Sequence, residues 1–139
     1  MKNRIFLMEK TTIVVLITMI CCLLSSCSKS ELQPGSKWLL QALKPGSEEQ
    51  WIESEKEYTL ELQGDGSYIF RLDANTCTGS WTSTVSKIRF KDSACTEICC
   101  DSAIALQFSS ALIHVLNYRI DGSTLWFSGR DSIRAIKKE

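Results

Sequence analysis

Residues 58–72 read YTLELQGDGSYIFRL. Tyr58, Leu60 and Leu62 alternate with polar side chains, as do Tyr68, Phe70 and Leu72 after them. Successive strand residues point to opposite faces, so this period of two places one apolar row on each of two half-buried strands. Gly64-Asp65-Gly66 lies between the rows. Glycine reaches the positive-φ conformations of tight turns, and an aspartate carboxylate can accept bonds from the backbone just after it. The stretch is therefore expected to be an antiparallel hairpin, and the rest of the chain has to be organised around it.

Upstream, Lys37–Leu43 (KWLLQAL) supplies a first strand. Lys44 to Lys56 is polar and acidic, opens with Pro45-Gly46, and is expected to be a long loop around Trp51. Downstream, Asn75, Cys77, Gly79 and Trp81 share one face of the next strand, and Ile88 and Phe90 mark another. The period changes after Cys100. Ile104, Phe108, Ala111, Leu112 and Val115 recur at spacings of three and four, which predicts an amphipathic helix over about 101–116, capped by Asp101 or Ser102. Tyr118-Arg119-Ile120, a turn at Asp121-Gly122, and Leu125-Trp126-Phe127 form a second hairpin. A last strand is expected near Ile133–Lys137. The fold class is α+β: a mainly antiparallel sheet or small barrel of about eight short strands, with one helix inserted late.

The first 26 residues belong to another job. Lys2, Arg4 and Lys10 precede an apolar run from Ile13 to Leu24, which is too short for a hydrocarbon core needing about 20 residues but suits a signal peptide. Leu24-Ser25-Ser26-Cys27 then resembles the bacterial lipobox, in which small residues let the backbone enter a peptidase and the thiol takes up a diacylglyceryl group. Cys27 is thus expected to be the lipidated N-terminus of the mature chain, with an acyl (palmitate-type) anchor in the cell or outer membrane and the domain outside the cytoplasm. Residues 27–36 (CSKSELQPGS) are expected to be a polar tether, and 37–139 the domain. Cys21 and Cys22 lie within the apolar run and read as filler.

The chain of 139 residues has 16 basic and 16 acidic side chains. Without Lys2, Arg4, Lys10 and Glu9 the balance is slightly acidic, which leaves no basic face for nucleic acid. Roughly 110 remaining residues suffice for one small core.

Cys77, Cys95, Cys99 and Cys100 are the chemically loaded cluster. Four thiols in a small exported domain favour two disulfides, and three pairings exist. The pairing that contains a vicinal Cys99–Cys100 bridge ranks last, because vicinal bridges are strained and rare. The competing reading is a soft-metal site, in which the C-x₃-C-C run joins Cys77 or His114. There is no C-x-x-C pair among the mature thiols, and His114 falls about four helical turns beyond Cys100. No metal and no cofactor are therefore expected. His114 has no nucleophile or carboxylate motif beside it, and no catalytic residue is assigned. The acidic residues Glu48, Glu49, Glu53, Glu55 and Glu57 lack calcium-loop spacing and read as a solvated face. Trp81 reads as core; Trp126 is harder to place, because Leu125 and Phe127 take the opposite face.

Taken in order, Trp38-Leu39-Leu40, then Asn75-Thr76-Cys77-Thr78-Gly79-Ser80-Trp81, then Thr96-Glu97-Ile98-Cys99-Cys100, resemble the successive motifs of the META/HslJ-like domain of bacterial envelope lipoproteins. Phe108, Leu112, Val115, Tyr118 and Leu125 follow at the spacing of that family's last third. The chain departs from the family pattern at Ala74, where a cysteine is usual, and at Trp81, where a tyrosine is usual. The resemblance implies structural roles for Asn75, Gly79 and Trp81. It implies Cys100 facing the Asn75–Trp81 strand, hence Cys77–Cys100 with Cys95–Cys99; Cys77–Cys99 with Cys95–Cys100 is the alternative. It also implies a non-catalytic structural, stress-related or protein-interaction role, with an envelope protein as partner besides the membrane. A lipocalin-like barrel carrying a small apolar ligand is the competing expectation, suggested by the Trp38 start, the Gly-Asp-Gly-Ser-Tyr hairpin and Gly79-Ser80-Trp81.

Overall fold

A computed structural model describes residues 31–139; the segment expected to be a signal peptide, Cys27 and the first residues of the expected tether lie outside the described residues. Eight strands run in order: β1 (Lys37–Lys44), β2 (Ile52–Leu62), β3 (Ser67–Arg71), β4 (Thr76–Ser83), β5 (Ile88–Cys95), β6 (Val115–Asp121), β7 (Thr124–Gly129) and β8 (Ser132–Lys138), with helix α1 (Ala103–Leu112) between β5 and β6. They form one antiparallel sheet ordered β5-β4-β3-β2-β1-β8-β7-β6. Each strand pairs with its sequence neighbour except at the β1–β8 joint and across α1, which links the two edge strands. The sheet curls until those edges approach: a single bridge joins Lys87 to Asn117, and the Tyr118 amide donates to the Ser86 carbonyl at 2.9 Å.

The hairpin at 58–72 forms as its pattern predicts, with Leu60 opposite Phe70 and Leu62 opposite Tyr68. Asp65 closes its turn by accepting the Ser67 amide at 2.9 Å and the Ser67 hydroxyl at 2.7 Å, and Gly66 supplies a φ of 84°. Tyr58, Leu60, Leu62, Tyr68 and Phe70 are all buried.

The interior of the curl is filled with side chains. Tyr68 meets Phe90 edge-on at 5.2 Å, and Phe90 meets Phe127 at 5.9 Å, so rings from β3, β5 and β7 touch across the middle. Helix α1 turns Ala105, Phe108, Ala111 and Leu112 inward, and Phe108 packs on Tyr58 with centroids 5.5 Å apart. Burying a side chain of that size stabilises by about 1.5–3 kcal/mol. Leu32, 5% exposed, joins the same core, and its amide donates to the Tyr118 hydroxyl at 3.5 Å.

Four boundaries differ from expectation, each for a local reason. The loop read as Lys44–Lys56 ends earlier, because β2 begins at Ile52 and pairs Glu53 and Ile52 with Ala42 and Leu43 across an irregularity in β1. The helix spans Ala103–Leu112 rather than 101–116: Val115 leaves it to pair with Gly129 on β7, at a position where a Cβ on Gly129 would strike the His114 carbonyl. β5 continues past Phe90 to Cys95 through a bulge facing Thr78–Ser80, with Asp92 in the bulge at φ 54°. The tether read as 27–36 gives way to folded chain by Leu32, where the side chain is already in the core.

Candidate functional site

The loops at the helix end of the curl are held by two carboxylates, Asp73 between β3 and β4 and Asp101 just ahead of α1. Asp101 Oδ1 accepts the amides of Ala74 at 2.8 Å and Asn75 at 3.2 Å, and its Oδ2 accepts Asn75 Nδ2 at 2.6 Å. Partial burial alone would raise its pKa, but these bonds outweigh that and hold it below the usual carboxylate value. Asn75 uses its whole amide. Nδ2 also donates to the Ile98 carbonyl at 2.7 Å, while Oδ1 accepts the Thr96 hydroxyl at 2.8 Å and the Ile98 amide at 2.7 Å. One side chain thus fastens the β5–α1 loop to the start of β4.

Asp73 receives Lys56 Nζ at 2.7 Å, the Ser102 hydroxyl at 2.6 Å and the Ser102 amide at 2.9 Å. The bond from Lys56, then those from Ser102, hold its carboxyl far below the ordinary carboxylate range, and the same contact raises Lys56. Tyr58 Oη lies 2.9 Å from Ser102 Oγ and 3.3 Å from Asp73. Ser102 also caps α1, accepting the Ala105 amide at 3.4 Å, as the sequence offered. A groove of about 300 Å³ opens beside the cluster, lined by Ile52, Glu55, Lys56, Tyr58, Ser102 and Ile104. The cluster combines a serine, a lysine and a tyrosine, types that serve nucleophilic catalysis elsewhere. In this geometry Lys56 Nζ and the Ser102 hydroxyl both donate to the Asp73 carboxylate. The arrangement is a latch between β2, the β3–β4 turn and the helix N-terminus.

The structure divides the cysteines differently from expectation. Cys77 lies at disulfide distance from Cys95, and Cys99 and Cys100 sit side by side, the grouping that ranks last on the sequence. The extension of β5 decides it. Cys95 is a strand residue directly opposite Cys77 in the β4–β5 register, which leaves Cys99 and Cys100 together on the loop. Neither Cys77–Cys100 nor Cys77–Cys99 forms, and the four sulfurs do not converge on a common point. Among the described residues no three histidine, cysteine, aspartate or glutamate side chains gather into a metal-binding group. His114, exposed just beyond α1, engages the Ser110 carbonyl through Nδ1 at 2.8 Å.

Gly79 and Trp81 occupy structural positions. Gly79 lies opposite Tyr68, where an added Cβ would meet the Lys91 carbonyl and stand 2.7 Å from Tyr68 Cε1 and 2.9 Å from its Oη. Only a residue without a side chain lets that ring lie over the strand beside the bulge. Trp81 is 7% exposed and donates through Nε1 to the Gln63 carbonyl at 3.3 Å. The sequence does not mark Asp73 or Lys56: an isolated aspartate after a strand resembles any turn residue, and Lys56 ends a stretch that reads as loop.

A family model described as META domain matches residues 30–138. The chain belongs to the META domain family. In this META domain the Asn75–Trp81 motif therefore has a mechanical meaning: Asn75 ties the loop, Gly79 admits Tyr68, and Trp81 closes the core. No curated protein matches the sequence. Two solved structures share the fold. One is the NMR structure of a protein from Burkholderia xenovorans, with TM-score 0.62 and 13% identity over 82% of this chain and 96% of that one. The other is the crystal structure of a DUF4847 family protein from Bacteroides vulgatus, with TM-score 0.56 and 11% identity over 76% of this chain and 95% of that one.

Proposed function

We propose that this META domain is a lipid-anchored module of the bacterial cell envelope, non-catalytic, which acts by presenting its outer surface to an envelope protein. The observation that carries the reading is the filled interior. Tyr58, Tyr68, Phe70, Phe108 and Phe127 are each no more than 1% exposed and occupy the space that a carrier would keep for cargo. Ligand pockets usually measure about 300–1,000 Å³ and enclose most of their ligand, whereas the grooves described here open to solvent. The latch around Asp73 supports the same reading, since its polar groups are spent on holding loops.

The address rests on Lys2, Arg4, the apolar run to Leu24 and the lipobox-like Leu24-Ser25-Ser26-Cys27. Leu32 enters the core only five positions after Cys27, so an acylated Cys27 would keep the domain within about 20 Å of the bilayer surface. Fractionation and intact-mass measurement of the chain expressed in a Gram-negative host test the anchor. The expected result is a membrane-bound protein beginning at an acylated Cys27, and a Cys27→Ser variant that is neither acylated nor matured. A soluble wild-type product with some other N-terminus would overturn it. Cross-linking followed by affinity purification from that envelope then asks for a protein neighbour, which the module reading requires.

A further inference from the structure

On the outer wall of the curl, Arg119, Trp126 and Arg134 form one row across β6, β7 and β8, each the direct register partner of the next. Leu125 and Phe127 are buried, so alternation turns Trp126 outward. Arg119 Cζ lies 5.7 Å from the Trp126 ring centre. Trp51, from the β1–β2 loop, meets Trp126 edge-on at 5.7 Å, and Arg134 Cζ lies 5.8 Å from the Trp51 ring. Both indoles are partly exposed. They border a groove of about 350 Å³ whose polar lining includes Asn117, Ser128 and Ser132.

The core does not need this row, and the charges around it are unevenly used. Arg134 is satisfied, its Nη2 lying 2.6 Å from Glu53 Oε2. Arg119 has a weaker partner, Asp121 at 3.4 Å, with the two side chains 66% and 72% exposed. Lys87 adds a second positive charge beside the groove, where its Nζ donates to Asn117 at 2.8 Å. A held pair of indole faces, amide and hydroxyl groups, and an arginine fork short of a close partner match one ligand chemistry. The C–H face of a sugar ring stacks on indole, its hydroxyls bond the amide and hydroxyl groups, and a ring carboxylate takes the guanidinium. We propose that the Trp51–Trp126 groove binds an acidic oligosaccharide, a short chain of uronate-type rings, with Trp126 as the platform and Arg119 as the anion contact. The site is separate from the Asp73 latch and does not depend on the lipid anchor.

Calorimetric titration of the detergent-solubilised full chain with trigalacturonate tests it, with chitotriose as the neutral control. The expected outcome is saturable sub-millimolar binding of the uronate, and chitotriose weaker by about two- to five-fold, for the loss of one exposed charge contact. Trp126→Ala should weaken binding at least about ten-fold, Trp126→Phe should keep most of it, and Arg119→Gln should erase the preference for the acid. Trp126 is a surface residue, and circular dichroism of each variant separates lost binding from lost fold. Absence of saturable heat for the uronate overturns the proposal. So does equal affinity for the neutral trimer, or undiminished binding by a folded Trp126→Ala variant.

Discussion

Replacing Asn75 by alanine removes four hydrogen bonds made by one side chain: two with Ile98, one with Thr96 and one with ionised Asp101. A neutral bond contributes about 0.5–1.5 kcal/mol net, and one to a charged group about 1.5–3 kcal/mol. Water reaches this loop and replaces part of what is lost, so Asn75→Ala should cost about 2–4 kcal/mol, a large share of the 5–15 kcal/mol typical of a domain. In urea denaturation followed by tryptophan fluorescence, that is a fall in midpoint of about 1–2 M at a slope near 2 kcal/mol per molar. Asn75→Asp is the sharper control. It keeps the shape but turns Nδ2 into an oxygen facing Asp101 Oδ2 and the Ile98 carbonyl, at positions now 2.6 and 2.7 Å away. At neutral pH it should be at least as damaging as alanine, because two attractive contacts become repulsive. An alanine variant within about 0.5 kcal/mol of the parent, or an aspartate variant as stable as the parent, would refute the tie that Asn75 makes between the β5–α1 loop and β4.

The remaining expectations concern the same end of the molecule and the bulge. Gly79→Ala should destabilise by about 1–3 kcal/mol, the usual cost of overpacking, because the new Cβ meets backbone at Lys91 as well as the Tyr68 ring; a thermal midpoint within error of the parent would contradict that contact. Asp73 and Asp101 both have folded-state pKa values below those of a free carboxylate. Their contribution is therefore complete above about pH 5 and is lost as pH falls through the unfolded value toward the depressed folded ones, and Asp73→Asn should flatten that acid loss in chemical denaturation between pH 7 and pH 3. Digestion of the unreduced protein with trypsin and a glutamate-specific protease, which cuts between Cys95 and Cys99 at Glu97, should give a Cys77 peptide linked to a Cys95 peptide. A Cys77 peptide linked to Cys99 or Cys100 would contradict the β4–β5 register.

Much of the fold was legible because it rests on local periodicity. The alternation through Tyr58–Leu72 fixes a hairpin whatever else the chain does, and the three-and-four spacing from Ile104 to Leu112 fixes a helix. What was not legible depends on contacts distant in sequence. Nothing around Ile88–Cys95 announces a bulge at Asp92, yet that extra residue sets which way Cys95 faces and hence which cysteine Cys77 meets. The acidic pattern of Ile52–Lys56 reads as loop because one strand face there is solvated; pairing with Ala42 and Leu43 makes it strand. Leu32 sits in a polar stretch and is recruited by a core that only the folded chain possesses. At the site, Asn75, Gly79 and Trp81 were marked by motif, and Ser102 by capping. Asp73 and Lys56 emerge only when the β3–β4 turn is set against β2.

The claim on which the rest depends is that the interior is occupied by the chain's own side chains, so that the domain works through its surface. Native mass spectrometry of the protein purified gently from its envelope tests this most directly. The account predicts a mass equal to the polypeptide with its covalent N-terminal lipid, and no saturable uptake of a fluorescent fatty acid. A stoichiometric, non-covalently held apolar molecule, displaced by that fatty acid, would contradict it.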